Sequence, residues 1–227
     1  MKPLRIVIPV YRETELDKLV EYLYDNAFDS SSFEIVFADF QDSSDLNHSA
    51  ARKKNSPKKG RAAQMNFGAE NFHGDILYFL HADSFPPEHF DLLIQESIKN
   101  GADAGCFKMR FDTNNVFLNA FSWFTQFNLN LCRGGDQSLF IKTQTFTEIE
   151  GFDEHMTIME DLEIIGRIRK EHQFSVVTSA EIITSARKYR KNGIYKLQFL
   201  FGLLHLQRVF GRSPQKMSAF YQKYITG

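Results

Sequence analysis

Thiols, prolines and tryptophan are all scarce here: two Cys, six Pro and one Trp in 227 residues. So few thiols exclude a disulfide framework, and Cys106 and Cys132 lack the clustered spacing of a structural zinc site. They read as buried, reduced cysteines. Nor does either sign of charge dominate, since 27 Lys and Arg stand against 28 Asp and Glu for a net charge of −1. That balance supplies no overall field to attract nucleic acid or an anionic membrane, so any partner has to be met at a local site. Long apolar runs are missing as well. Val116 to Cys132 is broken by Asn119, Gln126, Asn128 and Asn130, and Ile194 to Phe210 by Lys196, Gln198, His205, Gln207 and Arg208. Neither stretch offers the roughly 20 apolar residues of a transmembrane helix. A strand pattern starts at Leu4, leaving no room for a secretory leader, so the expected compartment is the cytoplasm.

Apolar residues are plentiful, at 43% with 23 Phe, enough for the core of one domain with a helical appendage. Leu4 to Val10, Phe33 to Asp39 and Ile76 to Leu80 are short β-branched and aromatic runs of the kind buried on both faces of a parallel sheet. Between them lie helical periods. Leu16, Leu19, Val20, Leu23, Tyr24 and Ala27 share one face, Arg61 to Phe72 is helical in pattern, and Pro87 to Asn100 carries Phe90, Leu93, Ile94 and Ile98 on one side. The alternation predicts an α/β, Rossmann-like fold with a mostly parallel sheet flanked by helices. Further strands are expected at Ala104 to Phe111 and Phe174 to Val177, and helices at Val116 to Leu131, Thr143 to Ile149 and Asp161 to Glu171. Residues 1–111 form the first half, 112–185 the second, and 186–227 a helical tail. The polar stretch Gln41 to Gly60 reads as a long loop. Its Arg52-Lys53-Lys54 and Lys58-Lys59 are either solvated surface or a lid that grips phosphate.

Ligands of an open parallel sheet bind beyond the carboxyl ends of its strands. Asp39 ends one strand, with Asp42 and Asp45 behind it, and Leu80-His81-Ala82-Asp83 ends another. If the extended backbone continues, His81 and Asp83 face one point and make half a metal site. Otherwise Asp83 and Ser84 simply cap the helix near Pro86 and Pro87. Glu160 and Asp161 open a helix with apolar Leu162, Ile165 and Ile168, where acids complement the helix dipole and a carboxylate can also be held for chemistry. Gly134-Gly135 is a tight turn or a close approach of backbone to ligand.

Gly60-Arg61-Ala62-Ala63-Gln64-Met65-Asn66-Phe67-Gly68-Ala69 and Gly74-Asp75-Ile76-Leu77-Tyr78-Phe79-Leu80-His81-Ala82-Asp83 together resemble the nucleotide-sugar half of family-2 glycosyltransferases. The likeness continues in order through Gly134-Gly135-Asp136-Gln137, Met159-Glu160-Asp161 and Thr184-Ser185-Ala186-Arg187. It is most similar to the bacterial radical-SAM/selenodomain-associated subgroup, in which His-Ala-Asp replaces Asp-x-Asp.

The resemblance implies a GT-A fold, a nucleotide diphosphate sugar donor, a divalent cation (manganese or magnesium) and inversion at the anomeric carbon. The acceptor is a hydroxyl, lipid-linked for some relatives. By position, Pro9, Tyr11 and Glu13 line the base and ribose pocket, Asp39 receives base or ribose, and Arg61 and Asn66 stand beside the nucleotide. Ala82 and Asp83 lie at the diphosphate, Asp83 holding the cation with His81 as a second candidate ligand. Gly135, Asp136 and Gln137 meet sugar or acceptor, Asp161 is the base with Glu160 beside it, and Arg187 faces the leaving diphosphate. The segment Phe40-Gln41-Asp42-Ser43-Ser44-Asp45 is one residue longer than the glycine-rich segment of relatives, and Tyr189 stands where Trp is common.

These residue types suit the reaction. A hard cation and a forked guanidinium stabilise the growing charge on a leaving diphosphate, and a carboxylate on the opposite side takes the acceptor proton. Imidazole is a softer ligand that favours manganese over calcium. A nucleotidyltransferase would need a basic glycine-rich loop after the first strand, where Pro9-Val10-Tyr11-Arg12-Glu13 stands instead. A non-catalytic module that senses nucleotide sugars is the other alternative. The aromatic residues Phe117, Phe121, Trp123 and Phe124 are expected in the core, with at most weak contact between the Val116 and Ile194 helices and a bilayer.

Overall fold

A computed structural model describes residues 3–134 and 137–225. Its centre is β1 (Leu4–Val10), every residue of which is buried. β2 (Phe33–Phe40) pairs parallel to one side of β1 and β4 (Ile76–Phe79) to the other. Side chains two apart on β1 leave by the same face. Leu4, Ile6 and Ile8 join one apolar cluster with α1 (Leu16–Asp25) and α3 (Phe90–Lys99), and Val7 joins a second with α2 (Arg61–Ala69). Gly68 permits this second contact, for a Cβ there would lie 2.3 Å from Val7 Cγ1.

The sheet has eight strands in the order β3-β2-β1-β4-β7-β6-β8-β5. β6 (Ala104–Phe111) and β8 (Phe174–Thr184) run with β1, whereas β7 (Leu139–Lys142) and the two-residue β5 (Ser84–Phe85) run against it. Six carboxyl ends therefore share one edge. α5 (Thr143–Glu148) and α6 (Glu160–Glu171) cover the α2 face, and a helical tail of α7 (Arg187–Asn192), α8 (Ile194–Val209) and α9 (Pro214–Tyr224) packs Leu197, Leu204 and Met217 on the other. Among the described residues no helix is long and apolar enough to cross a membrane.

Several expectations need correcting. The stretch from Gln41 to Gly60 is not all loop, because Ala51–Ser56 forms β3, parallel to β2. Its composition hid it. Charged side chains of this edge strand are satisfied locally, with Arg52 on Glu34 and Lys53 on Asp42, so no apolar alternation marks it. β8 extends seven residues past Val177 to Thr184, with an irregular register opposite Phe107 and Lys108. The helix expected from Val116 to Leu131 stops as α4 (Val116–Trp123) and continues as 3-10 turns at Phe124–Gln126 and Asn130–Cys132. Side chains take the helix's hydrogen-bonding groups: the Thr125 hydroxyl donates to Ser122 O at 2.6 Å, and the buried Arg133 donates to Thr125 O and Phe127 O at 2.5 Å each. Phe121, Trp123 and Phe124 are exposed rather than core. Cys106 is buried and unpaired as expected, with burial pushing its thiol upward, and Cys132 is partly buried.

Candidate active site

The chain turns from building β2 and β3 on one side of β1 to building β4 on the other, so the crevice at the carboxyl edge lies between β1 and β4. Gln64, buried on the first turn of α2, ties this edge together. Its Nε2 donates to Val10 O and Ala38 O, both at 2.7 Å. Asp39 is fully buried, and its two oxygens accept from Ser43 Oγ and Ser44 N at 2.8 Å each. Those serines in turn accept the backbone N–H groups of Arg12 and Glu13 at 3.0 Å. Thus Asp39 locks the loop after β2 onto the loop after β1. Arg12, Gln41 and Asp42 all hold left-handed backbone conformations there, a strain usually found at functional loops. Pro9 is buried in β1, while Tyr11 is exposed beneath the Arg12 and Lys59 cations, 5.0 and 4.9 Å from its ring.

Beyond β4 the backbone turns. β4 ends at Phe79, Leu80 N still reaches Val7 O at 3.0 Å, and Ser84 N then closes on His81 O at 3.1 Å. Strand alternation therefore stops before His81, and the argument that His81 and Asp83 face one point does not survive. The turn instead joins two distant segments. His81 Nε2 lies 3.9 Å from Asp161 Oδ2, and Asp83 O accepts from Ser185 N at 3.1 Å. Ser185 Oγ receives Arg187 N at 3.2 Å where the exposed Arg187 opens α7. Asp112, held below the usual carboxylate range against its own burial by Arg190 and the Ala186 N–H, anchors that segment.

Asp161 and Glu160 begin α6 behind Met159, which takes the left-handed conformation. Glu160 is 1% exposed, and Arg61 Nε approaches one of its oxygens at 2.7 Å. The approach is an ion pair rather than a hydrogen bond, and among the described residues both Glu160 oxygens have no hydrogen-bond partner. Asn66 does not face the crevice. Its amide pairs with both backbone groups of Phe152, at 2.9 Å each, and fixes the turn that leads into α6. Glu154 in the same turn is held below its ordinary pKa by Lys58 and Asn66. Gln137 is likewise inward. It is buried, accepts from Gly134 N at 3.1 Å and lies near Phe107 O and Thr125 O. Gly135 and Asp136 lie outside the described residues. Glu13 and Ala82 are partly buried at the crevice rim.

Residues 5–154 match the model of glycosyl transferase family 2. The chain belongs to that family. Its architecture recurs in solved structures, including the mannosyltransferase PcManGT from Pyrobaculum calidifontis in complex with GDP-Man and Mn2+ (TM-score 0.64, 13% identity, 90% of this chain and 61% of that one). It recurs also in S. aureus TarS 1-349 in complex with UDP (TM-score 0.62, 15% identity, 82% and 60%). At such identity the likeness carries the Rossmann-like GT-A fold alone. The chain covers about three fifths of the length of the chains in these two structures. No curated protein matches the sequence.

The larger described cavity, about 610 Å³ between α3 and β8 and lined by Leu93, Glu96, Gln173 and Ser175, contains none of these residues. The candidate residues gather instead at the carboxyl edge, where an open parallel sheet places its ligands. Gln64 escaped the reading of the sequence. Its signal was one amide at helical spacing from Gly68 in a run of small and apolar residues, Ala62, Ala63 and Met65.

Proposed function

We propose that the chain is an inverting, metal-dependent glycosyltransferase that moves a sugar from a nucleotide diphosphate donor to a hydroxyl acceptor. The observation that carries this reading is the His81 to Asp83 turn, which touches the Asp161 helix through His81 and the Arg187 segment through Asp83. A leaving group held near Asp83 and Arg187 and an acceptor held near Asp161 would then lie on opposite sides of the sugar. The base and ribose would rest in the crevice by Tyr11 and Glu13, framed by the Asp39 network.

Among the described residues no three His, Cys, Asp or Glu side chains form a metal cluster. That suits a hard cation held by one or two carboxylates plus phosphate oxygens, the usual arrangement for magnesium on a nucleotide. Asp83 would hold it, and when bound it neutralises charge on the diphosphate. Arg187 adds a guanidinium fork toward the same oxygens. Asp161 takes the acceptor proton, with His81 orienting its carboxylate from 3.9 Å. The His-Ala-Asp sequence also supports membership of the radical-SAM-associated subgroup, and the reading assumes a cytoplasmic site of action.

Asp161→Asn keeps size and polarity but cannot accept a proton. Transfer should fall by on the order of 100- to 10,000-fold with donor affinity nearly unchanged, because the loss falls on the transition state. Calorimetry with UDP and GDP sugars, in manganese and in chelator, measures donor binding, and Asp83→Ala should abolish the metal dependence. Transfer by Asp161→Asn near the parent rate would move the base assignment to Glu160 or Asp136.

A further inference from the structure

α8 is apolar on two opposite faces. Leu197, Leu200 and Leu204 are buried against the body of the protein. Tyr195, Phe199, Leu206, Val209 and Phe210 recur at helical spacing on the opposite side, with Gly202 between them, and all are exposed, Phe199 by 66% and Phe210 by 84%. An outward apolar stripe along a whole helix does not belong to a surface that meets only water. It is continuous with a second patch. Tyr195 packs on Phe117 at 4.8 Å, Phe117 on Phe121 at 4.9 Å, and from the end of α4 the exposed Trp123, Phe124 and Phe127 meet one another edge-on or tilted.

Charge identifies the occupant. The last carboxylate in the chain is Glu181, and nine of the 27 Lys and Arg side chains follow it, from Arg187 to Lys223. Residues before Arg187 carry the other 18 cations against all 28 carboxylates. The near-zero net charge thus conceals a tail at +9 on a body at −10. Lys188, Lys191 and Lys196 precede or flank the stripe, and Arg212 and Lys216 follow it, so cations surround the apolar face without interrupting it. Aromatic and aliphatic side chains bordered by cations are the pattern of a helix lying in the interface of an anionic bilayer. A symmetric pair of copies meeting through α8 would oppose one +9 tail to another, and a nucleic acid would want cations among the rings rather than around them.

We propose that α8, with the aromatic patch after α4, is a docking face for the surface of a membrane rich in anionic lipid. The proposal is independent of the transfer chemistry. The only tryptophan, Trp123, is 58% exposed on this face and reports on it directly. With vesicles of phosphatidylcholine plus about 30% phosphatidylserine, the full chain should co-sediment and its tryptophan emission should shift to the blue. Binding should drop at least about tenfold in pure phosphatidylcholine and weaken with added salt. The double variant Phe199→Glu, Phe210→Glu alters two exposed side chains, so its circular dichroism should match the parent while vesicle binding falls at least about tenfold. Lys188→Glu with Lys196→Glu should lose the preference for anionic lipid. Unshifted emission at high lipid, equal binding by the folded Phe199→Glu, Phe210→Glu variant, or a dimer in light scattering that these same substitutions dissociate would each overturn the proposal.

Discussion

Gln64 offers the sharpest test of how the candidate site is held. One side-chain nitrogen bridges carbonyls near the carboxyl ends of two neighbouring strands, Val10 of β1 and Ala38 of β2, at 2.7 Å to each, in a position 4% exposed. Gln64→Leu keeps comparable bulk but removes both donors. A buried acceptor left without a partner costs about 1–3 kcal/mol, so two sharing one site should cost roughly 2–5 kcal/mol after relaxation. For a chain of this length each kcal/mol moves the melting temperature by about 2–4 °C, giving a fall of roughly 4–20 °C. Gln64→Glu adds a signed prediction. Facing two carbonyl oxygens, its carboxyl is stabilised only when protonated, so its folded pKa rises above the unfolded value of about 4.3. The added penalty is absent below that unfolded pKa and grows as pH climbs toward the folded one. Urea unfolding of all three proteins at pH 4 and pH 7 measures both effects. A Gln64→Leu midpoint within about 0.5 kcal/mol of the parent would refute the bridging role.

Three further perturbations are as specific. A Cβ at Gly105 would stand 2.4 Å from Phe140 Cζ and 2.6 Å from Ser175 O, so Gly105→Ala should cost at least about 2 kcal/mol. Gly202→Ala, in open space on α8, should instead stabilise by up to about 1 kcal/mol, and thermal melts of the pair check the contrast. Asp103 is held below the ordinary carboxylate range by Lys142 and the Gln173 N–H. Its contribution is therefore present above the unfolded carboxylate pKa and lost as pH falls through the lower folded one. Asp103→Asn should lower stability at pH 7 and flatten the acid limb of the stability curve, which a pH series of melts would show.

How legible all this was in the sequence depended on where each element draws its energy. β1 and β4 announce themselves because every residue is buried and only Arg5 breaks their apolar and aromatic runs, and β2 because only Glu34 and Asp39 interrupt its own. β3 does not, since its stability comes from the ladder with β2 and from ion pairs that no local pattern records. The end of α4 was hidden for a related reason: Arg133, eight residues beyond Thr125, takes the carbonyls that further helix would have used. At the site, motif spacing singled out His81, Asp83 and Asp161 individually. Their relation was not readable, because His81 meets Asp161 across 80 residues of intervening chain and only after β4 has ended. Asn66 and Gln137 show the converse. Both belong to motif segments, yet their amides face backbone groups and hold turns in shape.

The two ends of the sheet have a consequence for how copies of the chain meet. One border is β3, whose Arg52 and Lys53 are engaged with carboxylates and whose Lys54 reaches Glu70 O at 3.1 Å. The other is β5, two residues long and followed at once by Pro86 and Pro87. A foreign strand added to the first would crowd cations together, whereas β5 covers only Ile183 and Thr184, so among the described residues Phe174 to Ile182 of β8 has no strand beside it on that border. At high concentration, growth by strand addition is therefore opposed at the β3 border and left to β8, and clumping by that route should respond to proline placed in β8 rather than in β3.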